Sequence, residues 1–415
     1  MSKTQIAVIG SGSVFTPELV LKLAQHADAL GGVSLRFYDI DRERQATMTA
    51  FCNRLLGSTG QAVVQITETD SADMCVDGAD FILLQLRQGG INARIQDEKL
   101  GRKYQLPFTE TISICGFSTF LRTYYEYERL ARVIKARAPE AWVMNFTNPA
   151  GQLSETLYRL GIDKVVGICN GFMGMQAQIN ETLGITSAEY IMNWRGLNHL
   201  TIVDGIYHNG RNRFGEFLEL SHLAGNDIRV CLGAALSGYY SYYFDRVKIV
   251  EKQQLQPTVR SEDVKAIDEA LLCQYQTAGE IPNDLAKRGG YGYSTAVVNV
   301  LKAICLDEGS VHYAVVKNGT ALPRLPRDAF VEVPVMVKRS GPYPLVLDEL
   351  PPFADVMTYA VKTYERALIT AAAQRDKRKL LQSMMIHPLM NCYSVALPLL
   401  DDCLEINKEF IPNYS

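Results

Sequence analysis

Several short segments of the chain gather residue types that do chemistry. Lys287-Arg288-Gly289-Gly290-Tyr291-Gly292-Tyr293-Ser294 sets a basic pair and glycines before two tyrosines entering a helix. Arg288 can grip an anionic substrate group bidentately. Tyr293 can stand beside bound substrate, but a phenol titrating near about 10 serves as a base only where the proton it takes has been acidified. Cys169, in Gly167-Ile168-Cys169-Asn170-Gly171, and His199, in Gly196-Leu197-Asn198-His199, offer a thiolate and an imidazole. That pair suits a borderline divalent cation, and two protein ligands leave such an ion open to substrate oxygens and water. Asn148, in Asn145-Phe146-Thr147-Asn148-Pro149, precedes a proline that keeps it extended, where it can face a cofactor ribose or a substrate hydroxyl. Arg87 and Arg94 can bind a phosphate or carboxylate, and Glu110 can cap a helix or orient a catalytic hydroxyl. Each segment also has a plain reading: an Asx-turn, a core thiol, a satisfied imidazole, a capped helix with surface tyrosines, solvated arginines.

The elements that must position these groups begin at the N-terminus. The apolar run Ile6-Ala7-Val8-Ile9 feeds directly into Gly10-Ser11-Gly12-Ser13, and helical residues Pro17–Leu23 follow. Glycines there permit a tight turn and a close phosphate, and the helix N-terminus supplies unpaired donors. Phe15 stands where the common dinucleotide fingerprint has its third glycine. A second strand-like stretch, Ser34–Tyr38, ends at Asp39, whose carboxylate can accept from adenosine ribose hydroxyls and so favours NAD over NADP.

Strands are expected at Gln5–Ile9, Ser34–Tyr38, Val63–Ile66, Phe81–Leu84, Trp142–Asn145 and Lys164–Ile168, with helical periodicity between them, notably over Arg42–Leu56 and Thr123–Ala136. That alternation predicts an α/β, Rossmann-like doubly wound parallel sheet. After about Trp194 the pattern changes. Thr201–Tyr207 reads as an antiparallel edge, and long helices follow over Ser261–Thr277 and Ser294–Leu306. Pro334 interrupts Phe330–Val337, which suits an edge strand or bulge. Helices Val356–Gln374 and Tyr393–Phe410 close the chain. A dinucleotide-binding domain over residues 1–195 and a mixed α+β, largely helical domain over 196–415 are therefore expected.

Composition narrows the class. At 415 residues the chain exceeds one ordinary core. A net charge of -3 with interspersed signs argues against nucleic acid or an anionic membrane as partner. No apolar run reaches the roughly 18 residues that span a bilayer. The first strand begins at once, leaving no room for a signal peptide, and nine scattered cysteines suit a reducing compartment. The expectation is a cytoplasmic α/β enzyme.

In order along the chain, the opening Gly-x-Gly-Ser, Tyr38-Asp39-Ile40-Asp41, Asn145–Pro149, Cys169-Asn170, Gly196–His199, Lys287–Gly290 with Tyr293-Ser294, and His387-Pro388-Leu389 resemble glycoside hydrolase family 4, the NAD- and manganese-dependent glycosidases. The resemblance implies a redox–elimination route: oxidation at sugar C3, loss of the C2 proton, elimination at C1, addition of water, and reduction. It also implies residue roles. Gly10, Ser11, Gly12, Ser13 and Asp39 bind NAD; Cys169 and His199 bind a divalent ion, expected to be Mn2+. Tyr293 takes the C2 proton, and Glu110 is the acid that keeps this tyrosine basic. Arg94, Asn148 and Arg288 bind substrate, the arginines holding a phosphate. Asn170 stands where α-acting members have Asp, which resembles the 6-phospho-β-glucosidase branch and implies a phosphorylated disaccharide or aryl glucoside, with a homodimer or homotetramer. Gly171-Phe172-Met173 follows where that branch usually has Pro, and Ile112-Ser113-Ile114-Cys115-Gly116 replaces the family's usual Thr-Gly-x-Gly-Gly, filling space near the expected sugar. An α-linked or uronic substrate is the alternative within the family. A hydroxy-acid dehydrogenase, or an NAD-binding sensor without turnover, is the alternative outside it.

Overall fold

The computed structural model describes residues 3–59, 64–223, 225, 227–289 and 292–414. Strands β1 (Thr4–Ile9), β2 (Val33–Tyr38), β3 (Val64–Glu68), β4 (Phe81–Leu84), β5 (Trp142–Asn145) and β6 (Val165–Gly167) run parallel in the order 3-2-1-4-5-6. This is the Rossmann order, and its crevice opens at the switch point between β1 and β4. Val63, expected to start the third strand, lies outside the described residues. Ile6–Ile9 of β1 and all of β4 are apolar and buried because helices cover both faces of the sheet.

Beyond β6 the same sheet continues with antiparallel pairing. Its further strands are β7 (Tyr190–Leu197), β8 (Leu200–His208), β9 (Arg211–Asn212), β10 (Ala235–Leu236), β11 (Ser310–Lys317), β12 (Phe330–Lys338) and β13 (Gly341–Pro344). From β6 outward the order is β11, β12, β7, β8, β10, with β13 paired to β12 and β9 to β8. Residue 195 falls within β7.

Three expectations are corrected. Phe330–Val337 lies in β12, which sits between β11 and β7 rather than at an edge. Pro334 is tolerated there because the partner on one side changes from β7, paired at Glu332, to β13, paired from Val335 onward. The Pro334 carbonyl accepts from the Leu345 amide at this handover, so the missing N–H falls where the ladder changes partner. Thr201–Tyr207 lies in β8, antiparallel as expected, but β7 flanks one side while β9 and β10 cover parts of the other. The chain closes with three helices, since Lys377–Ile386 intervenes between Pro352–Gln374 and Tyr393–Ile406. Asp376 caps the extra helix by accepting from the Lys379 amide.

The loops leaving β1, β4, β5 and β6 meet at the carboxyl edge of the parallel strands, where ligands bind in such sheets. Gly10 takes φ +91°, and a β-carbon there would lie 2.7 Å from the Gln85 carbonyl oxygen at the exit of β4. Gln85 closes this junction by donating to the Gly10 carbonyl (3.2 Å) and to Thr16 Oγ1 (2.8 Å). The β7–β8 hairpin brings its tip, Leu197–Leu200, to the same region: the Gly151 position lies 3.2 Å from the Asn198 β-carbon.

That hairpin depends on Gly196, at φ +145°, where a β-carbon would overlap the Leu200 carbonyl. Gly196→Ala should destabilise the protein by roughly 1–3 kcal/mol or more through backbone strain and overlap. A thermal melt followed by circular dichroism checks this, and an unchanged midpoint would contradict it.

Candidate active site

The glycine loop is a finished structure. The Gly10 and Ser11 amides donate to the Tyr38 carbonyl, and the Gly12 amide donates to Asp39 Oδ2 at 2.8 Å. Asp39 Oδ1 accepts from the Asp41 amide, and burial pushes the Asp39 carboxyl above its usual range. Ser13 Oγ accepts from the Phe15 amide, whereas the fully buried Ser11 Oγ has no partner. The N-cap residue of the Thr16–Ala24 helix, Phe15, makes no side-chain cap bond. Phe15, in the third-glycine position, packs on a small second core containing Val14, Phe51, Leu271 and Tyr275. Arg288 lies 5.7 Å above the Phe15 ring, so the C-terminal half of the chain braces this loop.

Cys169 follows β6 and His199 occupies the β7–β8 turn at φ +64°. Their Sγ and Nε2 atoms are 3.4 Å apart. That separation is compatible with two bonds of roughly 2.0–2.3 Å to one ion. Thr111 Oγ1 meets His199 Nδ1 at 2.5 Å, and the Tyr239 ring stacks on the imidazole at 4.0 Å, so Nε2 is aimed at the thiol. Burial pushes the imidazole down to about 4 against the opposing pull of Glu110, which keeps it neutral and able to ligate near pH 7. Burial, with Glu332 adding to it, pushes the Cys169 thiol up to about 12, so ligation must release its proton. Among the described residues no group of three His, Cys, Asp or Glu is arranged to hold an ion.

Tyr293 opens the Tyr293–Leu306 helix and packs beside Phe146, ring centroids 6.1 Å apart. Burial, then the nearby Cys169, Glu110 and Tyr239, hold its phenol well above the usual range. Burial alone would raise Glu110, but Arg87 and Arg94 hold it well below the ordinary carboxylate range, with Arg288 adding to their effect. The Arg87 contact is 2.6 Å and the Arg94 contact 3.6 Å. Arg94 is buried and also pairs with Glu98 at 3.1 Å, while Arg288 pairs with Asp268 at 2.5 Å. The buried Asn148 Oδ1 has no hydrogen-bond partner among the described residues. Asn170 stands at the N-cap of the Gly171–Leu183 helix. Cys169, His199, Tyr293, Glu110, Arg94 and Arg288 are thus neighbours, while Gly10–Ser13 and Asp39 form the adjoining platform. Gly290 and Tyr291 lie outside the described residues.

Ser113 takes φ +58° in the segment where the family usually has glycines, and its buried Oγ has no partner. A β-carbon at the neighbouring Gly116 would overlap the Thr111 carbonyl, so the loop is already tightly closed.

Four contributors escaped the sequence reading. Thr111 orients His199. Tyr239 stacks on it, and its position in the aromatic run Tyr239-Tyr240-Ser241-Tyr242-Tyr243-Phe244 was a usable signal. Glu332 is buried in β12, accepting from Trp194 Nε1 at 2.7 Å and from Asn198 Nδ2 at 2.9 Å; a carboxylate in an otherwise apolar strand pointed to it. Glu18 reads in sequence as an ordinary first-turn acid, but its carboxylate reaches the Tyr293 helix.

Comparison with known proteins gives the family. Residues 5–185 match the family 4 glycosyl hydrolases, and residues 194–390 match the family 4 glycosyl hydrolase C-terminal domain. The 6-phospho-beta-glucosidase BglT of Thermotoga maritima is 31% identical over 98% of this chain and 99% of its own. The Thermotoga maritima 6-phospho-beta glucosidase structure with manganese, NAD+ and glucose-6-phosphate superposes with a TM-score of 0.93 at 30% identity, covering 99% of this chain and 100% of that one. A probable 6-phospho-beta-glucosidase of Bacillus subtilis is 29% identical over 99% of this chain and 98% of its own. Malate dehydrogenase of Cryptosporidium parvum shares the fold alone, with a TM-score of 0.57 at 16% identity over 90% of this chain and 100% of its own. The chain belongs to family 4 of the glycosyl hydrolases.

Proposed function

We propose that this chain is a 6-phospho-β-glucosidase that cleaves phosphorylated β-glucosides, such as cellobiose 6-phosphate, by transient oxidation at C3 and elimination across C1 and C2. The observation that carries the reading is the convergence of Tyr293 on the Cys169–His199 pair beside the glycine loop. When bound, NAD accepts and returns the C3 hydride while a divalent ion, expected to be Mn2+, polarises the C2 and C3 oxygens. Cys169 and His199 would hold the ion, and Gly10, Ser11, Gly12, Ser13 and Asp39 the dinucleotide. Tyr293 takes the C2 proton once C3 is a ketone, and the Glu110 carboxylate raises the phenol's proton affinity. Arg94 and Arg288 hold the phosphate. The unpartnered Asn148 Oδ1 accepts from a sugar hydroxyl, and Asn170 faces the substrate without a carboxylic proton to give, which favours the β anomer.

Residues 1–195 would carry the dinucleotide, and residues 196–415 would carry the substrate-facing tyrosines and the self-association surface of a homodimer or homotetramer. Among the described residues no helix is long and apolar enough to cross a membrane. A substrate phosphorylated during uptake places the reaction in the cytoplasm. Tyr239 supports a second assignment of the base, because it too is half-buried near Cys169 and Glu110 and stacks on His199.

p-Nitrophenyl β-glucoside 6-phosphate deuterated at C2, given with NAD, Mn2+ and reductant, should be hydrolysed with loss of the label to solvent. Retention of the label would refute elimination. Preference for the unphosphorylated, α-linked or uronic glycoside would move the specificity, and net NADH accumulation would favour a dehydrogenase. Tyr293→Phe should lower kcat roughly 10²–10⁴-fold with NAD and Mn2+ binding kept. If Tyr239→Phe abolishes exchange while Tyr293→Phe does not, the base is Tyr239. Cys169→Ser should weaken Mn2+ binding at least about tenfold, read by electron paramagnetic resonance titration; an unaltered affinity would remove it from the ligand set.

A further inference from the structure

We infer that Glu18 is a positioning residue that fixes Tyr293 against the dinucleotide loop, so that base and cofactor platform are held as one unit. The inference rests on the reading of Tyr293 as the base. Glu18 lies in the first turn of the Thr16–Ala24 helix, just after the glycine loop, and is 6% exposed. An acid there would ordinarily serve its own helix dipole from the solvent side. Instead its two oxygens cross to residues on either side of Tyr293. Oε1 accepts from the Gly292 amide at 3.2 Å and Oε2 accepts from Ser294 Oγ at 3.1 Å. The Tyr293–Leu306 helix follows a glycine N-cap that makes no side-chain cap bond of its own, and Glu18 takes that glycine's amide together with a first-turn hydroxyl.

The arrangement has a mechanical consequence. Thr16, two residues before Glu18, donates through Oγ1 to the Ser11 carbonyl at 2.8 Å and accepts from Gln85. The glycine loop is thus hydrogen-bonded to Thr16 and the turn carrying Tyr293 to Glu18, and the first turn of one helix joins the two. Burying a carboxylate is costly unless its oxygens are used, and burial does push the Glu18 carboxyl upward. Among the described residues Gly292 and Ser294 use it. Proton abstraction at C2 tolerates little displacement of the phenol, whereas NAD and Mn2+ are bound by other atoms.

Glu18→Ala should lower kcat on p-nitrophenyl β-glucoside 6-phosphate by about tenfold or more and raise the C2-deuterium isotope effect. KM and the affinities for NAD and Mn2+ should stay within about twofold. Glu18→Gln, which still accepts from the Gly292 amide and can donate to Ser294 Oγ, should recover most of kcat. Should Glu18→Ala fail to fold, Ser294→Ala carries the test, with a smaller fall in kcat and the same rise in isotope effect. Wild-type kcat and isotope effect in Glu18→Ala or, in its place, Ser294→Ala would overturn the inference, as would a loss confined to NAD affinity or equal losses in the Ala and Gln variants. Tyr293→Phe is the control: normal turnover there would fail the base assignment itself. Inactive Tyr293→Phe beside fully active Glu18→Ala would fail only the positioning role.

Discussion

The site depends on holding a thiol from one half of the sheet beside an imidazole from the other. Cys169 leaves the last parallel strand, and His199 sits on an antiparallel hairpin reached only across β11 and β12. Their 3.4 Å separation is therefore set by the register of four strands, β6, β11, β12 and β7. β12 is the keystone of that path. Its Glu332 sits opposite Gly196 and accepts from Trp194 and Asn198, fastening the hairpin at two points on the approach to His199. Burial raises the Glu332 carboxyl, and its two donors act against that shift. Such a buried acceptor is stable because both oxygens are used.

Desolvation sorts the titratable groups into distinct states. His199 is kept neutral, Cys169 and Tyr293 are kept protonated, and Glu110 alone is driven to the ionised form, because Arg87 and Arg94 outweigh its burial. A neutral imidazole is what an ion requires, and a phenol of raised proton affinity suits a base acting on an already acidified proton. The same low-dielectric surroundings strengthen the influence of Glu110 on Tyr293. The arginines thus keep that charge in place.

Much of this was legible in the sequence because its signals are local. A β-strand running into Gly10-Ser11-Gly12 fixes the turn, and the alternating strand and helix patterns give the first six strands and their doubly wound class. The polar ends of strands name Cys169, Asn148 and His199. What escaped was settled by distant partners. Pro334 looked like an edge signal because nothing local reveals that β12 changes neighbours at that residue. Tyr239 and Thr111 matter only because the fold delivers them to His199, and Glu18 only because its helix abuts one that begins 275 positions away in the chain, as the 274-residue reach of its bond to Gly292 shows. Phe15 read as a defect in the glycine fingerprint, whereas it packs a second core that ties the loop to Tyr275 and Arg288.

The carboxylates around the site bear on the mechanism. Ordinary glycoside hydrolysis needs one carboxyl to give a proton and another to attack or to activate water. Here Asp39 supports the Gly12 amide, Glu18 the turn at Gly292, and Glu332 the hairpin. Glu98 accepts from Arg94 and the Ser261 amide, Asp268 from Arg288, and Glu110 is held ionised by guanidinium groups. Each of these acids is already engaged as an acceptor, and the one most firmly ionised is the least able to donate a proton. A route through C3 oxidation asks for none of them as nucleophile or acid. What the two halves of the sheet do bring together is a thiol and a neutral imidazole, with the phenol of Tyr293 supplied by the helix that it opens.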